Sequence, residues 1–135
     1  MRILSVSPLE ATHVRLREII RQLQWDMDSA YGRADAISVM RSRSIPVIVC
    51  DRDLPDGTWK DILEESALQE YPSYVIVTTR LAHDAHLWCE VLHLGGDEVL
   101  VIPFEPMEVF QSISTGWRHW ETTSGRRPRV LSTAT

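Results

Sequence analysis

Short apolar runs separated by longer segments of helical period constrain this chain more than any other feature. The runs are Ile3–Val6, Ile45–Cys50, Tyr74–Val77 and Val99–Ile102, and a weaker one, Trp25–Ala30, alternates Trp25 and Met27 with Asp26 and Asp28. Short apolar runs that alternate with longer amphipathic segments are the signature of βα units and a parallel sheet. Trp25–Ala30, with one polar face, fits an edge strand.

The intervening segments supply five helices. The first spans about Leu9 to Leu23, with Leu9, Leu16, Ile19, Ile20 and Leu23 on one face. A short second covers Arg33–Arg41. A third follows Gly57, with Thr58 as N-cap and Trp59, Ile62, Leu63 and Leu68 turned inward. The fourth, His83–Leu94, stops at Gly95-Gly96, since glycine favours the helix C-terminal turn. The fifth opens at Pro106 and puts Met107, Phe110, Ile113, Trp117 and Trp120 on one stripe. The order is βαβαβαβαβα within a domain of 1–121, and a chain of 135 residues is too short for a second ordinary domain. The remainder, 122–135, is polar, carries Arg126, Arg127 and Arg129, and reads as a flexible tail.

Bulk properties exclude some classes of function. A net charge of −5 disfavours nucleic acid as the main partner, because phosphate binding draws on a basic surface. Cys50 and Cys89 lie in apolar stretches without Cys-x-x-Cys spacing, and are expected as buried free thiols of a reducing compartment. No apolar run approaches the length of a membrane span, so a soluble cytoplasmic protein is expected. His83, His86 and His93 cluster loosely on the fourth helix; solvent exposure explains them better than a zinc site, which needs three or four convergent ligands.

Ligands of open parallel sheets bind beyond the carboxyl ends of the strands. The residues there are Ser7-Pro8, Asp51, Thr78-Thr79 and Ile102-Pro103, and one of them is charged. Taken without other information, Asp51 at a strand end can cap nearby backbone N–H groups, and Thr78 can be an ordinary β-branched strand residue.

Three segments together resemble response-regulator receiver domains. Val47-Ile48-Val49-Cys50-Asp51-Arg52-Asp53-Leu54-Pro55-Asp56-Gly57 is similar to that family's phosphoacceptor strand and loop. Val75-Ile76-Val77-Thr78-Thr79 is similar to its fourth strand, and Gly95-Gly96-Asp97-Glu98-Val99-Leu100-Val101-Ile102-Pro103-Phe104 to its fifth. The resemblance implies a flavodoxin-like, doubly wound sheet of order 2-1-3-4-5 and a cis Ile102–Pro103 bond. It implies that Asp51 is the phosphoacceptor and that Thr78 bonds the phosphoryl group. It also implies Mg²⁺ as cofactor and, as partners, a histidine kinase, a phosphotransfer protein or another receiver. A homodimer through the face of the fourth helix, fifth strand and fifth helix is part of the same expectation, with Trp88 and Trp120 on that face.

The chain departs from the family at three positions. Ser7-Pro8 stands where an acidic pair helps hold the metal, Ile102 where a lysine precedes the proline, and Val99 where an aromatic reports the switch. The lysine has not shifted, because Lys60 is the only lysine among 14 basic residues. Replacing one preorganised cationic donor by an alkyl group removes roughly 100- to 1000-fold of transition-state stabilisation. Without the acidic pair, Mg²⁺ is left with Asp51, Asp53 and Glu10 as oxygen ligands, and weak binding is expected.

These losses favour an atypical receiver, a pseudo-receiver working by protein–protein contact and not as an enzyme, with impaired Mg²⁺-dependent phosphorylation. The alternative is a conventional single-domain response regulator phosphorylated on Asp51 by a histidine kinase. A small-molecule or enzymatic function on the same sheet finds neither a phosphate-cradling glycine loop after the first strand nor a nucleophile–base pair.

Overall fold

A computed structural model describes residues 1–81 and 84–134, with side chains through 124. Five strands, β1 (Arg2–Val6), β2 (Asp26–Ala30), β3 (Val47–Asp51), β6 (Tyr74–Thr79) and β7 (Glu98–Val101), form one parallel sheet of order β2-β1-β3-β6-β7. The expected order is thus found. Strand limits move by one or two residues. β3 begins at Val47 and carries Asp51 as its last residue, and β6 runs on through Thr79.

Side-chain alternation divides the core. Leu4, Val6, Ile48, Cys50, Val75, Val77 and Val99 point to one face, covered by Ala36 and Met40 of α2 (Arg33–Ser42), Trp59 and Ile62 of α3 (Trp59–Ala67), and Leu87 and Val91 of α4 (Ala85–His93). Ile3, Val47, Val49, Ile76 and Leu100 point to the other, against Leu16 and Ile20 of α1 (Glu10–Arg21) and Val109 and Ile113 of α5 (Pro106–Ala134). The central strands are therefore apolar on both faces, as their continuous runs require.

The helix signals hold at the ends and slip in the middle. Thr58 forms a capping box with Asp61, Asp84 caps α4 through Leu87 N–H, and Gly95 adopts φ +96° after α4. Leu68, expected inside, is 78% exposed because α3 has already ended at Ala67. On α5 the expected stripe is rotated: Met107 and Phe110 are exposed, Trp117 and Trp120 are half-buried, and Val109, Ser112 and Ile113 face the sheet. On α1 the exposed Leu9 is likewise replaced by Thr12 and His13. Cys89 corrects a further expectation, since it is exposed on α4 whereas Cys50 is buried; both are free. α5 takes in most of 122–135, the segment read as a tail; the side chains of 125–135 and all of His83 lie outside the described residues. No helix among the described residues is long and apolar enough to cross a membrane.

One element went unforeseen. After Asp51 the chain turns through a two-residue-per-strand hairpin, β4 (Asp53–Leu54) and β5 (Gly57–Thr58). Asp56 at its turn accepts N–H bonds from Arg33 (2.6 Å) and Ala34 (3.0 Å). It thereby caps α2, whose own N-cap residue is Gly32 and has no side chain to offer. These bonds to the ionised form hold the Asp56 carboxyl below its ordinary range.

Candidate functional site

The sheet register assembles the site before any side chain is considered. Asp51 pairs directly with Thr78 across β3 and β6, and Val6 pairs with Cys50 across β1 and β3, which brings Ser7 beside Asp51 on the other side. Three consecutive strands of the sheet therefore deliver Ser7, Asp51 and Thr78 to one carboxyl edge.

There the carboxylate of Asp51, 5% exposed, is held from both sides. Thr78 Oγ1 donates to Oδ1 at 2.5 Å and Ser7 Oγ donates to Oδ2 at 2.8 Å. A hydroxyl has only one hydrogen, so both donors are committed to this carboxylate. Hydrogen bonds to an ionised acceptor are stronger than neutral ones, and here they replace water that burial has removed.

Ser7 is itself fixed at four points. Its N–H donates to Ala30 O (3.0 Å), its Oγ accepts from Leu9 N–H (3.1 Å), and its carbonyl accepts from His13 Nε2 (2.8 Å). The fourth is the bond to Asp51. His13, fully buried, also contacts Ser5 Oγ through Nδ1 at 2.8 Å and lies edge-on to Tyr31 with centroids 4.7 Å apart. Sequence patterning missed His13 because one histidine on a helix carries no signal until its neighbours are known.

A cation does approach Asp51, from an unexpected place. Arg80, just beyond β6, sets Nη1 at 3.9 Å from Oδ2 and reaches Thr12 Oγ1 with Nη2 at 3.4 Å. Its side chain remains about half exposed, so the pair is screened by solvent. Arg52 pairs with Asp53 (3.2 Å) and with Asp84 (3.6 Å). Asp51, Arg52, Asp53, Thr78 and Arg80 line an open cleft of about 400 Å³.

The other sequence candidates separate. Glu10 does not line that cleft; its carboxylate accepts a 2.5 Å bond from Tyr31 OH, which pushes the tyrosine pKa up. Ile102 packs against the core on the α1–α5 face, its N–H donating to Thr79 O (2.7 Å), and the Ile102–Pro103 bond is cis. Pro103 is exposed, and Val99 is buried in register with Val77. Trp88, 38% exposed, borders a groove of about 340 Å³ with Glu98, Val99, Glu108 and Gln111. Trp120 is not on that groove; it stacks on Trp117 and meets Tyr71 edge-on, and its buried Nε1 has no hydrogen-bond partner among the described residues.

The donor set does not fit Mg²⁺. The cleft offers the carboxylates of Asp51 and Asp53, the first engaged by two hydroxyls and the second ion-paired to Arg52, with the Arg80 guanidinium close by. Among the described residues no three acidic, histidine or cysteine side chains converge on a metal position. What the arrangement can do is hold a buried carboxylate between two hydroxyl donors, with one half-exposed arginine beside it.

No family model and no curated protein matches the sequence. Solved structures do. The chain is similar to the signal receiver domain of an HD domain-containing protein from Pseudomonas fluorescens Pf-5, at 20% identity over 93% of this chain and 92% of that one, with TM-score 0.83. It is similar to a response regulator receiver domain protein (CheY-like) from Methanospirillum hungatei JF-1, at 19% identity over 90% and 96%, with TM-score 0.78. It is also similar to a structure described as adenylate cyclase from Rhodopirellula baltica, at 16% identity over 96% of each chain, with TM-score 0.83. The fold is that of a response-regulator receiver.

Proposed function

We propose, from the premise of a receiver fold, that this chain is a pseudo-receiver: a two-component signalling module that works by protein–protein contact and not as an enzyme. The observation that carries the reading is the closure of Asp51. Both carboxylate oxygens accept hydroxyl hydrogens, Ser7 occupies the place of the resembled family's acidic pair, and Ile102 that of its lysine. Phosphoryl transfer depends on positioned cations at the transferring group, and among the described residues the cations of this cleft are arginines, Arg52 and Arg80. The partners in this reading are a histidine kinase, a phosphotransfer protein or another receiver. The α4–β7–α5 face also suits a homodimer, with Trp88 as the exposed aromatic anchor beside its groove.

One observation favours a second reading, the conventional regulator phosphorylated on Asp51. Arg80, 3.9 Å from Oδ2, supplies a positive charge that the sequence pattern lacks, and a guanidinium can pair with phosphoryl oxygens. Titration with Mg²⁺, followed by amide resonances of Ser7, Asp51 and Thr78, separates the two. The pseudo-receiver predicts no saturable shift at millimolar metal. A saturable shift centred on Asp51 overturns it.

A further inference from the structure

We infer that His13 is a positioning residue that aims the Ser7 hydroxyl at Asp51 and so keeps that carboxylate closed. The inference rests on the closed-site reading above and names what maintains it.

Pro8 limits how the turn after β1 can be held. A peptide unit has two polar handles, an N–H and a C=O, but the unit joining Ser7 to Pro8 lacks the first because proline has no N–H. The Ser7 carbonyl is therefore the only group by which hydrogen bonding can fix that plane, and His13 Nε2 takes it at 2.8 Å. Ser7 is fully buried, so water does not compete for the carbonyl. A carbonyl only accepts, which requires the hydrogen on Nε2; Ser5 Oγ faces the opposite nitrogen at 2.8 Å and holds the ring in its plane. Tyr31 packs edge-on against the imidazole, and Tyr31 is in turn tied to Glu10. Ser5 belongs to β1 and His13 to α1, so the imidazole bridges the two elements across the Ser7-Pro8-Leu9 turn.

The consequence reaches Asp51 through Ser7. With its N–H on Ala30 and its carbonyl on His13, Ser7 is fixed on both sides of its Cα; Leu9 N–H then fills an acceptor position of the hydroxyl and leaves its hydrogen for Asp51. Releasing the carbonyl frees the Ser7–Pro8 plane to rotate and the hydroxyl to leave Oδ2.

Carbodiimide-promoted amidation with a small amine, read at Asp51 by peptide mass spectrometry, tests this on the whole chain. Ser7→Ala should raise Asp51 labelling roughly three- to tenfold, the range expected for one lost hydrogen bond. His13→Phe, which fills the space without a donor, should raise it by a similar factor. His13→Gln, which can again offer an N–H to the carbonyl, should return it toward wild type. Ile20→Val, a core change on the same helix, should leave it unchanged. A rise with Ser7→Ala but none with His13→Phe overturns the role of His13 and leaves the closed site standing. No rise with Ser7→Ala overturns the closed site itself. A rise with Ile20→Val equal to that of His13→Phe marks general loosening and also overturns the inference. Should His13→Phe not fold, the wild-type protein decides: long-range ¹H–¹⁵N correlations must show hydrogen on His13 Nε2, and a ring protonated only on Nδ1 refutes the contact.

Discussion

Ser7→Asp puts the closed site under the most informative strain. The Ser7 hydroxyl lies 2.8 Å from Asp51 Oδ2 in a position without solvent exposure, so a carboxylate introduced there cannot turn to water. Two carboxylates about 4 Å apart repel by roughly 4 kcal/mol at an effective dielectric constant of about 20. Arg80, 3.9 Å from Oδ2 but half exposed, offsets only part of this, while loss of the Ser7–Asp51 hydrogen bond adds to it. A net destabilisation of about 3 kcal/mol follows, or a fall in Tm of roughly 10 °C for a domain of this size. The repulsion raises the folded-state pKa of one carboxyl of the pair. Its contribution is then complete below the ordinary carboxylate range and is lost as pH rises through the raised value, so the Tm deficit must shrink toward acid. A divalent cation bridging the pair reverses it at neutral pH. Circular dichroism melting at neutral and mildly acid pH, in EDTA and in millimolar Mg²⁺, reads all three effects. A variant as stable as wild type in EDTA at neutral pH, or one indifferent to Mg²⁺, refutes the geometry assigned to Ser7.

Two further outcomes follow from the same structure. Thr78→Val leaves Asp51 Oδ1 without its donor and should cost about 1–3 kcal/mol in urea unfolding; a change below about 0.5 kcal/mol contradicts the 2.5 Å bond. Asp97, whose pKa is pushed up by burial against the opposing pull of the Val75 N–H bond and His119, contributes stability that is complete below the ordinary aspartate range and fades as pH rises through the raised value. Asp97→Asn should therefore melt higher relative to wild type at neutral pH than in acid, and parallel Tm–pH curves for the two proteins would sink that assignment.

The fold was legible because its signals are local and redundant. Apolar runs marked all five strands of the main sheet, and Thr58, Gly95 and Pro106 marked helix ends whose chemistry admits few alternatives. Facial detail was less legible. Met107 and Phe110 share a helical spacing with Ile113, yet Val109 and Ser112 turn to the sheet, since a stripe read from apolar spacing alone leaves its rotation against the partner undetermined. Within the site, Asp51 and Thr78 stood out as strand ends. Ser7 was visible only as a missing carboxylate, although the pairing of β1 with β3 makes it a neighbour whose hydroxyl can donate. Arg80 and His13 were not legible: one acts through a long side chain from beyond a strand, the other through partners at positions 5 and 7 that only the fold brings to it. The hairpin after Asp51 escaped because two-residue strands leave no periodicity to detect.

Whether Asp51 is held closed or poised for phosphoryl transfer is read from intact-mass spectrometry. The protein is incubated with Mg²⁺ and a small phosphodonor such as acetyl phosphate, beside an Asp51→Ala control. A pseudo-receiver gives no phosphoryl-sized mass gain under conditions that modify an ordinary receiver, whether residue 7 is the native Ser7 or alanine, because the missing lysine and metal ligands remain missing. A gain in the wild-type protein that is labile to alkali and absent from Asp51→Ala would contradict it and establish Asp51 as a phosphoacceptor.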